Sequence, residues 1–443
     1  MPPTAAPARQ ADRSYWAPLV LIVILATLWR VAYFADAPSP LAGVDAREYH
    51  AIATTLLRTG EFRPLAHGVP HGEYAVRTPG YPAFLAVVYW FGERWFSSTL
   101  ALVRPAQLAL DLGALLLTFA LAYRLVGRKR ALVAAFLYAL YPGFWWASSA
   151  VYSETLSIFL WAGAILFLTI GFETRRARWF FGAGIILGMA ALVRPTGQAF
   201  ALILLIALVW VYGIRERRWV WHFAAFAVAF AAVTAPWAAR NSVIMQRPVG
   251  LSSYGGLNFF VGNYLPFHGM FCAATYPIVN HITAHTTDEF AADGALWRAG
   301  LKNIGRYVLH RPADYVSLLR GKFRTFWSAY QTQAIDSLWG RLGFGGRQLH
   351  DALLLLGLVG LLVATFSGRR FAAVFAAIAF TCLVHVATIC EEGRYNLVVM
   401  PYVIILASAG LGWLSPRLFG REIMELPLIR EADLQAFPPG FSN

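Results

Sequence analysis

Charged residues are scarce in this sequence: they make up 14% of the 443 residues, against about a quarter in a typical soluble domain. Apolar residues account for 58% and aromatic residues for 15%. So few charged side chains cannot cover the surface of a water-soluble globule, which excludes a soluble multidomain protein. The same composition excludes a disordered chain, a collagen-like chain and a coiled coil.

Cysteine and familiar catalytic motifs are also scarce. Cys272, Cys382 and Cys390 do not make a disulfide framework or a CxxC metal site, so we predict that they are inert packing residues. The sequence contains no HExxH, GxSxG or Walker motif. Gly255 and Gly256 lack the strand and helix that flank a phosphate loop. We therefore expect no nucleotide cofactor.

Long apolar runs are what the sequence has instead. Runs of about 20 apolar residues predict membrane-spanning helices, and we count about ten of them, some shortened by a proline at one end. The predicted fold class is therefore an all-α polytopic membrane protein. The predicted segments are 16–35, 100–125, 131–147, 155–171, 180–193, 198–213, 220–236, 352–366, 371–389 and 397–414.

The formal charge of +14 comes from short basic clusters between these segments. The clusters at 128–130, 175–178, 215–218 and 369–370 fall in alternate loops, which places those loops in the cytoplasm. Both termini then lie in the cytoplasm of a multi-pass protein of the cell (inner) membrane. Because no basic stripe alternates with aromatic residues, we expect no nucleic-acid partner.

This topology divides the chain into three parts. We predict a cytoplasmic tail at 1–15, a membrane domain at 16–415 and a second cytoplasmic tail at 416–443. The membrane domain includes two long external segments, 36–99 and 238–350. The apolar stretch 81–91 is too short to span, so we predict an interfacial or re-entrant helix there. Residues 35–37 resemble a signal-peptidase site, but Arg30 interrupts the apolar run, which favours an uncleaved anchor.

Polar residues at the edges of a membrane domain are candidates for function because they are costly there. Acids and arginines from six connections meet on the predicted external side. They are Asp45, Glu48, Arg77, Arg104, Glu154, Arg194, Arg240, Asn241, Glu391, Glu392 and Arg394. Asp111 lies seven residues after Arg104, and we predict an ion pair between them. His385, on an apolar helix, is predicted to be a satisfied buried histidine.

Asp45 opens an amphipathic helix in the first external segment, with Gly60 as its C-terminal cap. Asp45 and Glu48 are three residues apart and share one face. A carboxylate near the start of a surface helix can serve as a general base toward an acceptor hydroxyl. The alternative is that Asp45 only caps the helix, while Glu48 pairs with Arg47 or the lipid surface.

Arg77 precedes a Thr-Pro-Gly-Tyr-Pro turn, and the turn keeps its side chain at the height of the lipid headgroups. A guanidinium there offers two parallel hydrogen bonds to a phosphate. The alternative is an ordinary arginine whose charged end reaches up to the membrane surface. The same two interpretations apply to Arg194 and to Arg240.

In order, these motifs resemble the C-type membrane glycosyltransferases that use lipid-linked sugars. That family includes aminoarabinose lipid A transferases, galacturonosyltransferases of lipopolysaccharide and relatives of protein O-mannosyltransferases. The resemblance runs from Asp45 to about Pro401. It rests on motifs at 45–49, 60, 77–82, 153–155, 192–196, 236–237, 240–241, 255–258, 262–263, 394–395 and 401.

The resemblance implies a polyprenyl-phosphate sugar as donor and Asp45 as the catalytic base or the group that orients the acceptor. Arg77 and Arg394 match residues that contact the lipid phosphate, and we expect Arg194 to help neutralise it. The sequence departs from the family at Ala46, where many members carry a second acid, so the role of a metal stays open. The supporting residues would be Glu48, Glu154, Arg240, Asn241, Asn263 and Glu392.

The sequence thus predicts a glycosyltransferase that moves a hexose or pentose on the periplasmic or extracellular face, with inversion. The acceptor would be an envelope glycan such as lipopolysaccharide, a lipid or a protein, and membrane lipids would surround the enzyme. The alternative is a transporter or flippase of lipid-linked glycans. Inverted repeats and helices broken at the midplane, which are typical of transporters, are not evident in the sequence.

Overall fold

The computed structural model describes residues 16–63, 74–330 and 345–419, with side chains as far as residue 415. The described part is helical and contains no strand. The predicted cytoplasmic tails, 1–15 and nearly all of 416–443, lie outside the described residues.

The first half of the fold contains ten α-helices within the described ranges. A short 3₁₀ turn at Pro195–Ala199 precedes the ninth. The helices are α1 (Trp16–Asp36), α2 (Val44–Thr59), α3 (Gly80–Phe96), α4 (Val103–Val126), α5 (Arg128–Leu140), α6 (Pro142–Ser149), α7 (Glu154–Thr174), α8 (Ala177–Val193), α9 (Phe200–Tyr212) and α10 (Arg218–Ile244).

The second half contains four helices that do not combine the length and hydropathy needed to span a membrane, followed by three apolar ones. Turns of 3₁₀ helix at Arg369–Phe371 and Gly393–Asn396 flank the second of the three. The helices are α11 (Gly255–Gly262), α12 (Thr275–Thr283), α13 (Glu289–His310), α14 (Pro312–Phe326), α15 (Gly346–Phe366), α16 (Ala372–Ala387) and α17 (Met400–Phe419).

Within the described residues, seven helices are long and apolar enough to cross a membrane, or eight if the bent pair α5–α6 forms one span. That pair bends by 54° just before Pro142, and α8 and α17 are apolar but shorter. Every predicted membrane segment falls on one of these helices. The chain is therefore an all-α polytopic membrane protein, and α2 and α3 occupy the predicted first external segment.

The core of the bundle forms around α7, which packs against α4 on one side and α8 on the other. α8 in turn packs along α10, and α15 packs along α17. The α15–α17 contact is very close, since a Cβ at Gly360 would overlap the backbone carbonyl of Leu406. Small residues at such a crossing let helix backbones approach closely in a membrane.

The predicted ion pair between Arg104 and Asp111 is wrong. Asp111 pairs with Arg30 on α1 at 2.6 Å, and both side chains are buried. Arg104 instead donates to backbone carbonyls at the end of α1, including Phe34 and Pro38. Seven residues of an α-helix rise about 10 Å along its axis. Arg30, on the neighbouring helix α1, is therefore closer to Asp111 than Arg104 is.

The cysteines differ from the prediction in one case. Cys390 is buried and Cys382 is partly buried, as expected of packing residues. Cys272 is exposed in the segment between α11 and α12. The type of a residue does not by itself determine how deeply its side chain is buried. Burial depends on which other segments of the same chain pack over it.

Candidate functional site

A cavity of about 550 Å³ lies where the predicted external segments meet the ends of the apolar helices. Side chains from five regions of the chain line it. These regions are the start of α2 with residues 76–78, the start of α7, residues 193–199, the α11–α13 region, and residues 384–395. Six of the acids and arginines singled out in the sequence line this cavity from positions that are far apart in the chain, namely Asp45, Arg77, Glu154, Arg194, Glu391 and Arg394.

Packing orients α2 at the cavity. Its buried face includes Ala46, Tyr49, Ile52 and Ala53, and the helix ends at Gly60, whose left-handed conformation (φ 72°) confirms the predicted cap. The N-cap of α2 is a glycine with no side-chain capping bond. The alternative that Asp45 only caps the helix is therefore wrong.

Asp45 lies between two guanidinium groups. Its Oδ1 accepts a hydrogen bond from Arg77 at 2.8 Å, and its Oδ2 accepts one from Arg394 at 2.9 Å. Glu48 accepts from Nε of Arg77 at 2.9 Å, so Glu48 does not pair with Arg47. One surface of α2 thus binds arginines from two distant segments.

A second ion pair lies beside the first. Arg194 contacts Glu154 at 2.8 Å, and the carboxylate of Glu154 is 2% exposed. Arg394 approaches the same Glu154 oxygen at 3.9 Å and pairs with Glu392 at 3.0 Å. Arg394 therefore bridges the two groups of acids, and the three arginines belong to one connected network of ion pairs.

The arginines hold Asp45 in its ionised form. Burial by itself would raise the pKa of Asp45, but the positive charges of Arg77 and Arg394 and their hydrogen bonds outweigh burial and lower that pKa to about 2. Asp45 is therefore a fully ionised carboxylate at neutral pH and a weak base while it is paired.

Aromatic rings fix the orientation of the arginines. The Arg77 guanidinium lies 5.2 Å from the ring of Tyr49 and 5.1 Å from that of Tyr254. Arg394 lies 5.1 Å from the ring of Tyr152. Cation–π contacts of this kind position a guanidinium without consuming its hydrogen-bond donors. The sequence alone did not single out Tyr152 and Tyr254, because aromatic residues near membrane edges are common.

Five of the six predicted supporting residues do not line the cavity, and three of them bind neighbouring backbone instead. Arg240 donates to the backbone carbonyls of Tyr74 and Phe62, and the Asn241 amide donates to the carbonyl of Gly250. Asn263 donates to the carbonyl of Ala387 and accepts from a tyrosine hydroxyl. The side chains of these three residues form hydrogen bonds with neighbouring backbone, so their role is to position loops. Glu392 lies outside the cavity lining but contacts Arg394.

Other residues near the site were not predicted. Lys322 is buried, and its ammonium group donates to the carbonyls of Gly262 and Thr388 at 2.9 Å each. Asp293 on α13 lines the cavity. His385 also lines it, and within the described residues its Nδ1 has no hydrogen-bond partner. His385 is buried, as predicted, but with an unpaired Nδ1 the prediction of a satisfied histidine holds only in part.

The carboxylates do not form a metal-binding group. In the described part of the chain, no three His, Cys, Asp or Glu side chains converge as ligands of one ion. Ala46, at the position of the family's second acid, is fully buried against the core. Both oxygens of Asp45 are bound to arginines.

Comparison with known proteins agrees with this architecture. Residues 81–237 match the family model described as dolichyl-phosphate-mannose-protein mannosyltransferase. No curated protein sequence matches the chain. The oligosaccharyltransferase AglB from Archaeoglobus fulgidus superposes with a TM-score of 0.56 at 15% identity, covering 92% of this chain and 51% of that one. This chain thus spans about half the length of the oligosaccharyltransferase.

A weaker likeness is to ArnT from Cupriavidus metallidurans, with a TM-score of 0.43 and 17% identity, covering 93% of this chain and 82% of that one. The fold comparison rests on AglB, whose superposition covers nearly all of this chain. The chain therefore has the fold of the C-type membrane glycosyltransferases, the family that its sequence resembles.

Proposed function

We propose that this protein is a membrane glycosyltransferase that uses a polyprenyl-phosphate sugar as donor. The observation that carries the proposal is the convergence of Asp45, Arg77, Arg194 and Arg394 on one cavity of about 550 Å³. Arginines aimed into a cavity at a membrane edge suit a lipid phosphodiester. The AglB structure was solved in complex with a dolichol-phosphate, a ligand of the same chemical class.

The donor phosphate competes with Asp45 for the same guanidinium groups. Arg77 and Arg394 each bond one oxygen of Asp45 before any donor arrives. A phosphate that binds these arginines neutralises part of their positive charge. The pKa of Asp45 therefore rises from about 2 toward its ordinary value. Donor binding in this way releases a carboxylate able to act as a base.

Transfer then breaks the bond between the anomeric carbon and the phosphate oxygen. The positive charge that develops on the sugar is oxocarbenium-like, and negative charge grows on the leaving phosphate beside the arginines. Interactions that strengthen as charge develops lower the barrier. The acceptor hydroxyl forms the new bond from the opposite side, and Asp45 takes its proton, which gives inversion.

The site lies on the periplasmic or extracellular side in this proposal, because the basic clusters occupy the other face. The sugar is a hexose or a pentose, and the acceptor is an envelope glycan, a lipid or a protein. Membrane lipids surround the apolar helices, and the polyprenyl chain of the donor lies among them.

The test uses the purified full chain in nanodiscs, incubated with polyprenyl-phosphate sugars and a mixture of envelope acceptors. Release of polyprenyl phosphate is measured by mass spectrometry. We expect Asp45→Asn and Arg77→Ala each to lower release by about 100-fold or more, the range for losing a general base or a preorganised charge.

Matched controls come from an exposed ion pair in the same segment. Glu61 and Arg63 pair at 3.0 Å with both side chains 59% exposed, so Glu61→Gln and Arg63→Ala should leave release unchanged. Movement of intact donor between leaflets without release would overturn the proposal in favour of a flippase. Unchanged release in Asp45→Asn would remove Asp45 from the role of base.

A further inference from the structure

A second wall of the cavity carries polar and aromatic groups that the proposed chemistry does not use. Tyr254, whose ring lies 5.1 Å from the Arg77 guanidinium, directly precedes α11. Asn258, one turn further along α11, also lines the cavity. Asp293 and Trp297, one turn apart on α13, complete this wall. The wall therefore begins beside a phosphate-binding arginine and extends away from it.

Asp293 differs from Asp45 and Glu154 because no arginine or lysine pairs with it within the described residues. Its Oδ1 accepts a hydrogen bond from the backbone N–H of Gly256. Burial raises the pKa of Asp293 to about 6, although the bonds from Gly256 and Trp297 oppose that rise. A carboxylate has about four acceptor positions, so acceptor capacity remains for a ligand.

Trp297 presents an aromatic surface next to this carboxylate. One face of its ring stacks on Phe259 with centroids 4.1 Å apart, and the side chain is 36% exposed. The close packing depends on Gly256, where a Cβ would overlap the backbone of Asp293. α11 and α13 are thereby locked together, and the indole is held rigidly at the cavity.

Asn258 adds an amide group to the wall. The side chain is half-buried, and its amide forms no hydrogen bond within the described part of the chain. An amide can donate and accept, whereas a carboxylate only accepts. A rigid aromatic surface with a few convergent polar groups is the usual make-up of a small-ligand pocket. A pyranose matches this set, since it has an apolar C–H face and hydroxyl groups at its edge.

We propose that Asn258, Asp293 and Trp297 form a pyranose-binding subsite beside the phosphate-binding arginines. The inference rests on the proposed function and extends it to the class of sugar. Trp297 packs against the apolar face of the ring, while Asp293 and Asn258 accept hydrogen bonds from hydroxyls. The unpaired carboxylate favours a neutral or amino sugar and repels a uronate. The pyranose belongs to the donor or to a glycan acceptor.

The experiment compares two lipids that share the phosphate. Binding of polyprenyl phosphate and of a polyprenyl-phosphate hexose is measured on the full chain in nanodiscs, together with the KM for donor and acceptor. For Asp293→Asn, we expect affinity for the hexose donor to fall about tenfold, the equivalent of one charge-assisted hydrogen bond. For Trp297→Leu, we expect a fall of about the same size, because the sugar loses its aromatic contact surface. Affinity for polyprenyl phosphate should stay within twofold, which also shows that the variants fold.

The control is Asp314→Asn, since Asp314 lies on α14 with its side chain 51% exposed and paired to Arg311. A rise in the acceptor KM with unchanged donor affinity would assign the pyranose to the acceptor. Asp293→Asn should also reduce discrimination against a uronate donor. Unchanged affinities and KM values in both variants would overturn the subsite. A wild type that binds no polyprenyl phosphate would overturn the proposed function itself.

Discussion

At the scale of single residues, the central feature of the site is the pairing of Asp45 with two arginines. Its partners Arg77 and Arg394 lie 32 and 349 residues away in the sequence. The position of Asp45 in the first turn of α2 was predictable from local pattern, because an amphipathic face and Gly60 define that helix. Its partners were not predictable from spacing, since they depend on how three segments fold together.

The low pKa of Asp45 predicts how stability depends on pH. A folded-state pKa of about 2 against an ordinary value of 3.8 means that the paired carboxylate stabilises the fold at pH values above about 4. This contribution, about 2 kcal/mol, is lost as the pH falls from about 4 to 2. Thermal unfolding in detergent should therefore show that wild type is more stable than Asp45→Asn, by an amount that is constant from pH 7 to 5.

This difference in stability between wild type and Asp45→Asn should shrink steadily below pH 4, because the unfolded chain then binds a proton at Asp45 that the folded chain does not. Glu61→Gln serves as the control, since Glu61 is 59% exposed and should give no such difference. A stability difference that disappears between pH 7 and 5 would contradict the pairing of Asp45 with the two arginines.

At the scale of elements, α14 holds the loop that carries Arg394. Lys322 bonds the carbonyl of Gly262, at the end of α11, and that of Thr388, just after α16. Asn396 donates to the carbonyls of Phe326 and Ser328 beyond the loop. The loop is thus fixed at both ends. The sequence of α14 does not reveal that Lys322 points inward, between Leu318 and Phe326 on the buried face.

Replacing Lys322 with methionine should lower the stability of the protein by about 2–3 kcal/mol, since two buried carbonyls lose a charge-assisted donor. The loop with Arg394 would loosen, so kcat for transfer should fall as well. Thermal unfolding and donor turnover measure the two effects.

The matched control is Lys302→Met, because Lys302 on α13 is exposed and forms none of these bonds. We expect Lys322→Arg to recover part of the lost stability, as its guanidinium keeps the charge and the donors. Equal stabilities of Lys322→Met and Lys302→Met would show that the buried ammonium does not hold the loop.

At the scale of the whole molecule, orientation in the membrane follows from the basic clusters between the apolar helices. These clusters predict that α11–α14 and one wall of the cavity lie on the external side, and this orientation can be tested at a single thiol. Cys272 lies exposed between α11 and α12, whereas Cys390 is buried and Cys382 is partly covered.

A membrane-impermeant maleimide should therefore label Cys272 on spheroplasts with intact membranes, as detected by a mass shift of the purified chain. Cys272→Ser should abolish the label, which identifies the thiol. Labelling that requires disruption of the inner membrane would place the cavity in the cytoplasm and reverse the topology.

The sequence by itself determined the class of fold and the order of its helices. Hydropathy, helical periodicity and the spacing of basic clusters depend on residues within one turn or one span, and these are visible in a linear chain. It also indicated the acids and arginines as a group, because charges at membrane edges are costly unless they are used.

Only the tertiary structure decided which of these charges meet. It paired Asp111 with Arg30 rather than Arg104, and it directed Asn241 and Asn263 toward backbone carbonyls. It also brought Asp293 and Trp297 to the cavity. Contacts of this kind depend on which helix faces pack together, and that is set by the summed burial of many distant residues rather than by the spacing of a few.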